Sequence, residues 1–224
     1  MTEEIRKVEI APSILAADFR ELEREVRAAE AGGADRIHCD IMDGVFVPNI
    51  SFGPMVVAAV KKCVAIPLDV HLMLQNPREY IAAFSDAGAD NITVHADACD
   101  DLPATLDEIH ANGVQAGVTV NPDKPVSLFE DSLENIDLVL IMSVYAGFGG
   151  QPFMAETLDK VKKLAELRRE RRLHFSIEID GGINPETAAM SIAAGVDVLV
   201  AGSYVFGGED YAERIGTLRE SGGR

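Results

Sequence analysis

Eight short apolar segments alternate with eight segments of helical pattern along this chain of 224 residues. The predicted strands span 8–15, 36–40, 68–72, 91–95, 115–120, 137–142, 175–179 and 198–201. The predicted helices span 19–31, 54–63, 77–87, 100–111, 126–132, 154–171, 185–194 and 211–218. Strands that are apolar throughout are typical of a parallel sheet covered by helices. Eight such units in one run predict an α/β fold, a single (β/α)8 TIM barrel over residues 1–224, rather than an open doubly wound sheet.

The balance of charge limits the partners that such a barrel can bind. The chain carries 20 lysines and arginines against 37 aspartates and glutamates, a formal net charge of −17. This charge repels nucleic acid and anionic membranes, so we expect neither as a partner. It also opposes an anionic ligand, so a phosphate site here must rely on local backbone amides. No apolar stretch reaches the roughly 18 residues of a membrane span.

The thiols indicate the compartment. Three cysteines, Cys39, Cys63 and Cys99, are present, and no two of them form a C-x-x-C pair. An odd number of such cysteines indicates reduced thiols rather than a disulfide framework. The sequence M-T-E-E-I-R-K at the start lacks the apolar region of a signal peptide. We therefore expect a cytoplasmic enzyme.

Four polar side chains at predicted strand ends form a candidate metal site. His38 and Asp40 are two residues apart, so both point to one face of their strand. His71 ends the third strand and Asp180 follows the seventh. Two imidazoles and two carboxylates suit zinc, iron(II), manganese or cobalt. Three alternatives stay open: a His/Asp pair that anchors a loop, an aspartate that caps a turn, and a barrel histidine with a structural role. His95 is expected to be structural.

Three glycine segments follow the last three predicted strands and form a candidate phosphate cradle. Glycines let backbone N–H groups approach an anion, and a short helix after the eighth strand would add its positive end. In a TIM barrel the loops after strands seven and eight commonly hold phosphate. The alternative is that these segments are only tight turns. The residues concerned are Gly147, Phe148, Gly149, Gly150, Gly181, Gly182, Gly202 and Ser203.

Three methionines, Met42, Met73 and Met142, also stand at strand ends and would surround the same cavity. Methionine at such positions is more often ordinary core. Beside a metal, however, a soft apolar cap would exclude water and suit a flat anionic intermediate.

Six segments carry a resemblance to a known family. They are A-P-S-I-L-A-A-D (11–18), H-C-D-I-M-D-G-V-F-V-P-N (38–49), D-V-H-L-M (69–73), G-F-G-G-Q-P-F (147–153), I-E-I-D-G-G-I (177–183) and V-L-V-A-G-S-Y-V-F (198–206). With these segments the chain resembles the ribulose-phosphate 3-epimerase family from end to end. The resemblance implies a TIM barrel of the ribulose-phosphate binding type, which interconverts D-ribulose 5-phosphate and D-xylulose 5-phosphate in the pentose phosphate pathway.

The resemblance also implies roles for individual residues. His38, Asp40, His71 and Asp180 would bind one divalent metal ion, with zinc the first expectation. Asp40 and Asp180 would be the acid/base pair. A homo-oligomer is a further implication. The sugar phosphate would be held by Ser13, His71, Gly147, Phe148, Gly149, Gly150, Asp180, Gly181, Gly182, Gly202 and Ser203.

The chemistry of epimerisation agrees with these residue types. Inverting the carbon beside a ketone requires a proton to leave one face and return on the other. Two carboxylates across a planar enediolate do this, one as base and one as acid. A divalent metal stabilises the enediolate charge as a Lewis acid. Neither a nucleophile nor an organic cofactor is required, and the sequence contains no motif for either.

The sequence departs from the family pattern at three places, and these departures leave alternative functions open. Tyr145-Ala146 replaces an Asn or Glu followed by Pro, the segment 100–103 replaces a His-rich one, and Asp123-Lys124 replaces a small residue and Thr. A 3-epimerase of another ketose phosphate, such as D-allulose 6-phosphate, is the first alternative. A decarboxylase barrel would need a lysine at a strand end, which the expected strand ends lack. A non-catalytic sugar-phosphate-binding barrel would be expected to have lost one of the two aspartates.

Overall fold

The structure of the protein is a computed structural model that describes residues 7–222. Its eight strands form one sheet in the order β1-β8-β7-β6-β5-β4-β3-β2, and every neighbouring pair is parallel. The strands are β1 Glu9–Ala11, β2 Ile37–Met42, β3 Leu68–Met73, β4 Asn91–His95, β5 Gln115–Val120, β6 Leu138–Met142, β7 Ser176–Asp180 and β8 Val198–Val200. All eight predicted strands are therefore present, and most of them begin or end a few residues away from the predicted position.

The two ends of the sheet meet just beyond β1. A parallel bridge joins Ser13 to His38, and the His38 amide donates to the Pro12 carbonyl at 3.0 Å. The Asp35 amide donates to the Ile10 carbonyl at 2.9 Å. These contacts bring β1 and β2 together, so the sheet is a nearly closed barrel. The predicted TIM-barrel fold is confirmed.

Helices follow the strands along the chain. They are α1 Leu22–Ala31, α2 Pro54–Lys61, α3 Ile81–Asp86, α4 Leu102–Ala111, α5 Leu158–Arg171, α6 Pro185–Ala194, α7 Ser203–Phe206 and α8 Tyr211–Glu220. The predicted segment 126–132 is not an α-helix but two 3-10 segments, Val126–Leu128 and Glu130–Asn135. Asp and Ser side chains such as those of this segment compete with the backbone for hydrogen bonds and so disfavour a longer helix. Within residues 7–222, no helix is long and apolar enough to cross a membrane.

The inside of the barrel has a polar side and an apolar side. In β2, Cys39 and Ile41 pack in the main hydrophobic core, so His38 and Asp40 point the other way, into the barrel. The same alternation fills the inside of β3 and β4 with buried polar side chains. Across the barrel, β1, β6 and β8 contribute apolar side chains instead, among them Leu140. Three of the four candidate metal ligands lie on this polar side, on β2 and β3, and Asp180 ends β7, which lies between β6 and β8.

We expect the three thiols to differ sharply in reactivity. Burial raises the pKa of Cys39 to about 12 and that of Cys99 to about 11. The thiolate is the reactive form, so at pH 8 both should resist a disulfide reagent in the native protein. Cys63 is only half-buried on the C-terminal side of α2 and should react first. A native reaction of one thiol, rising to three after denaturation, is the expected titration. Rapid native labelling of Cys39 would contradict it.

Candidate active site

A cavity of about 350 Å³ opens at the carboxyl ends of the strands. It gathers most of the predicted site residues in one place. Those that line it are Ser13, Asp40, Met42, Met73, Met142, Gly147, Phe148, Gly149, Gly150, Asp180, Gly181, Gly182, Gly202 and Ser203. His38 and His71 do not line this cavity, and both are fully buried. Sequence patterns alone do not distinguish the residues of the cavity wall from those of the buried layer beneath it.

Four side chains converge at the floor of the cavity. His38, Asp40, His71 and Asp180 each offer one ligand atom, and these atoms all lie within 4.8 Å of one another. The Oδ1 atom of Asp40 lies 3.3 Å from His38 Nε2 and 3.1 Å from His71 Nδ1. Such a mixed set of nitrogen and oxygen donors fits a divalent metal ion.

The two imidazoles face this cluster through different ring nitrogens. His38 presents Nε2 to Asp40, and its Nδ1 lies 2.7 Å from Asp69 Oδ2. His71 presents Nδ1 to Asp40, and its Nε2 lies 2.9 Å from His95 Nε2. In both rings the second nitrogen is already engaged with a buried partner. One nitrogen of each ring is thereby left to face the cluster.

The two carboxylates of the cluster have opposite protonation tendencies. Burial by itself would raise the pKa of Asp40, but the charge of His38 and hydrogen bonds from His38 and His71 hold that pKa well below its ordinary value. Burial and the charge of Asp40 raise the pKa of Asp180 to about 7. At neutral pH, Asp40 is therefore ionised while Asp180 is protonated in a large fraction of molecules. One cavity holds a base and an acid.

Further buried carboxyls lie below this cluster. Burial opposes the ionised form of Asp69, but the charge of His38 and its hydrogen bond lower the Asp69 pKa to about 2. Glu178 is fully buried on β7, and burial together with the charge of Asp69 raises its pKa well above the ordinary value. In the layer below the cluster, the surroundings therefore favour the ionised form of Asp69 and the neutral form of Glu178.

The turn after β7 brings main chain to the cavity wall. Gly181 has a φ of +118°, and a Cβ there would lie 2.6 Å from Val144 Cγ2. Only glycine fits this position without strain, because L side chains rarely adopt that backbone conformation. The cavity is also lined by the start of α7, at the exposed Ser203, which follows the neighbouring strand β8. Among residues 7–222, the lining of the cavity includes Gly181, Gly182, Gly202 and Ser203 but no lysine or arginine.

Comparison with known proteins decides the family. The model of the "Ribulose-phosphate 3 epimerase family" matches residues 9–206. The chain belongs to this family. A ribulose-phosphate 3-epimerase of Bacillus subtilis is 48% identical over 215 residues, covering 96% of this chain and 99% of that protein. A chloroplastic ribulose-5-phosphate-3-epimerase of Arabidopsis thaliana is 45% identical, covering 95% of this chain and 76% of that protein.

Solved structures outside the epimerases share the barrel. KGPDC from Streptococcus mutans superimposes with a TM-score of 0.73 at 14% identity, over 96% of each chain. A 3-hexulose-6-phosphate synthase from Salmonella typhimurium gives 0.70 at 16% identity, over 96% of this chain and 98% of that chain. At such low identity these likenesses show the fold alone.

The loop that departs from the epimerase pattern lies at the mouth of the cavity. Tyr145 is 48% exposed and Phe148 is 53% exposed, so both rings stand open to solvent. The side-chain amide of Gln151 donates to the Tyr145 carbonyl at 2.6 Å and to the Phe148 carbonyl at 2.8 Å. The amide of Asn49 donates to the Gly147 carbonyl at 2.8 Å. These bonds give the loop a defined shape.

Three further buried polar residues lie behind the candidate metal ligands, and the sequence patterns did not single out two of them, Asp69 and Asn91. Asp69 and Asn91 form a hydrogen-bonded pair behind His38. His95, which was expected to be structural, stacks on the His71 ring with centroids 5.0 Å apart. Period-two spacing from His71 to Asp69, and from His95 to Asn91, was the signal that could have placed all of them inside the barrel.

Proposed function

We propose that this chain catalyses the metal-dependent epimerisation of D-ribulose 5-phosphate to D-xylulose 5-phosphate at carbon 3. The observation that carries the proposal is geometric: Asp40 and Asp180 line one cavity, and their ligand atoms lie within 4.8 Å of those of His38 and His71. Relatives covering nearly the whole chain are named for this activity. The reaction is a step of the pentose phosphate pathway, which we propose as the setting of the enzyme.

The proton transfers follow from the two protonation states. Asp40, ionised, accepts the proton from carbon 3 on one face of the sugar. Asp180, protonated, donates a proton to the opposite face of the planar enediolate, which yields the other epimer. The Ser13 hydroxyl donates to Asp40 Oδ2 at 2.7 Å and so holds the base in place. After turnover the protonation states are reversed, and exchange with water restores them.

His38, Asp40, His71 and Asp180 would hold the divalent metal ion. Their donor set suits zinc first, with iron(II), manganese and cobalt as alternatives. When bound, the ion supplies positive charge that stabilises the negative charge of the enediolate. The three methionines Met42, Met73 and Met142 are 4%, 1% and 2% exposed, and we propose that they cap the pocket and exclude water.

We propose that the phosphate lies against the loops after β6, β7 and β8. Gly181, Gly182 and Gly202 offer backbone amides there, and Ser203 offers a hydroxyl. Local amides are needed because the chain as a whole carries a net charge of −17. A distantly similar barrel, KGPDC from Streptococcus mutans, has been solved in complex with a sugar phosphate. That protein's ligand supports a sugar phosphate as the substrate class.

Tyr145 favours a second candidate substrate. Its ring is half exposed at the cavity mouth, where the family usually has a smaller Asn or a Glu. A longer ketose phosphate such as D-allulose 6-phosphate would reach this ring, while the same aspartates would perform the same proton transfers.

The family resemblance and the exposed apolar side chains of Val45, Ile50 and Met55 favour a homo-oligomer. The cytoplasmic location proposed from the cysteines rests on all three thiols being free.

Incubation with D-ribulose 5-phosphate in heavy water, followed by proton NMR, tests the proposed reaction. We expect xylulose 5-phosphate that carries deuterium at carbon 3. A chelator should abolish the reaction and added zinc should restore it. Exchange without epimerisation, or turnover of D-allulose 6-phosphate alone, would favour the second substrate. Binding of both sugars without any exchange in the zinc-loaded protein would overturn the enzymatic proposal and indicate a binding protein.

A further inference from the structure

The protonation of one imidazole decides whether the proposed metal site can form. His38 is fully buried, and its Nδ1 and Nε2 face the carboxylates of Asp69 and Asp40. A neutral imidazole carries one proton, and the nitrogen that holds it cannot bind a metal. Whichever group faces Nδ1 therefore determines whether Nε2 is free to be a ligand.

Asp69 is itself held in one orientation. Its Oδ2 lies 2.7 Å from His38 Nδ1, and its Oδ1 accepts from the Asn91 side-chain amide at 2.6 Å. The same amide donates to Thr93 Oγ1 at 3.0 Å, which fixes the Asn91 side chain in turn. Asp69 and Asn91 are 1% and 2% exposed, so water does not compete for these bonds. An ionised carboxylate only accepts hydrogen bonds, so Nδ1 of His38 must be the donor.

We propose that Asp69, held by Asn91, is a positioning residue that keeps the proton of His38 on Nδ1 and so presents Nε2 to the metal. The inference rests on the proposed role of His38 as a metal ligand. It adds two residues to the function of the site, neither of which touches the cavity.

The substitution Asp69→Asn tests the proposal because it keeps the shape of the side chain. Asn91 continues to donate to the remaining oxygen of residue 69, so the new amide nitrogen faces His38 Nδ1. That amide donates its hydrogen, which forces the proton of His38 onto Nε2 and blocks the ligand position. We expect zinc affinity, measured by competition with a chromophoric chelator, to fall by about 10- to 100-fold.

An exchange of the two side chains provides the matched rescue. In the double variant Asp69→Asn with Asn91→Asp, the carboxylate at 91 accepts from the amide at 69. The oxygen of residue 69 then faces His38 Nδ1 and accepts its proton. Zinc affinity should return to within about threefold of the wild type, because the two substitutions are directly coupled. In the presence of zinc, nitrogen-15 NMR of the histidines should show His38 protonated at Nδ1 alone in the wild type and the exchange variant, and at Nε2 in Asp69→Asn.

Thr119→Val is the control for disturbance of the barrel interior. Thr119 is fully buried, and its hydroxyl has no hydrogen-bond partner among residues 7–222. We expect this variant to bind zinc as the wild type does. The proposal is overturned if folded Asp69→Asn binds zinc as tightly as the wild type, or if the exchange variant stays as weak as Asp69→Asn. A wild type that binds no zinc would instead overturn the proposed metal site, and the inference with it.

Discussion

Asp180→Asn should lower kcat by about 10²- to 10⁴-fold, the usual contribution of a general acid or base. The amide has nearly the shape of the carboxyl but cannot exchange a proton with carbon 3. We expect KM for D-ribulose 5-phosphate to change only a few-fold, because the glycine loops that would hold the phosphate are untouched. Steady-state kinetics at saturating zinc measure both quantities.

Ser203→Ala is the matched comparison for this variant. Ser203 lines the same cavity and would contact only the phosphate. We expect this variant to raise KM while kcat stays within a few-fold of the wild type. Full turnover by Asp180→Asn would show that Asp180 is not the acid of the reaction.

The same Asp180→Asn variant should alter the pH dependence of stability in the metal-free protein. The pKa of Asp180 is raised from 3.8 to about 7, first by burial and then by the charge of Asp40. A raised pKa stabilises the folded protein most fully below pH 4, and this contribution is lost as the pH rises to about 7. As the pH rises over that range, the unfolding free energy of the wild type should therefore fall relative to that of Asp180→Asn. A difference that is independent of pH would contradict the raised pKa.

Gly117→Ala should lower the free energy of unfolding by about 3 kcal/mol, the upper part of the range for an overpacked core. Gly117 on β5 pairs with Thr93 on β4, and both lie inside the barrel. A Cβ at Gly117 would lie 2.1 Å from Thr93 Oγ1 and 3.0 Å from Thr93 Cα. Movement of the Thr93 side chain alone does not relieve the contact with the backbone. Urea unfolding measures the loss.

The control for this variant is Gly216→Ala in α8, where an added Cβ has no neighbour within 4 Å. Alanine is the better helix former, so stability should rise by up to about 1 kcal/mol. Adding Thr93→Ala to Gly117→Ala should recover part of the loss, because the hydroxyl nearest the new Cβ is removed. Equal stability of Gly117→Ala and the wild type would contradict this prediction, because it would mean that β4 and β5 can move apart to accept the added Cβ at no cost.

Much of the site could be predicted from the sequence because its signals are local. Alternation of apolar strands and helices predicted the barrel, and in a barrel the carboxyl ends of all strands meet at one end. Period-two spacing placed His38 and Asp40 on one face of β2. The same geometry brought Asp180 and the glycine turns to the cavity, although they are more than 100 residues away along the chain.

Local sequence patterns were therefore enough for the barrel, the end of it that carries the chemistry, and most of the residues there. The packed structure was needed to show which nitrogen of His38 faces the cluster, because that depends on Asp69, which lies 31 residues away, and on Asn91 behind it. It also separated the pKa values of Asp40 and Asp180, two residues of the same type. The reason is physical: hydrogen bonds and charges across a barrel depend on strand register and burial, which arise only when distant segments pack together.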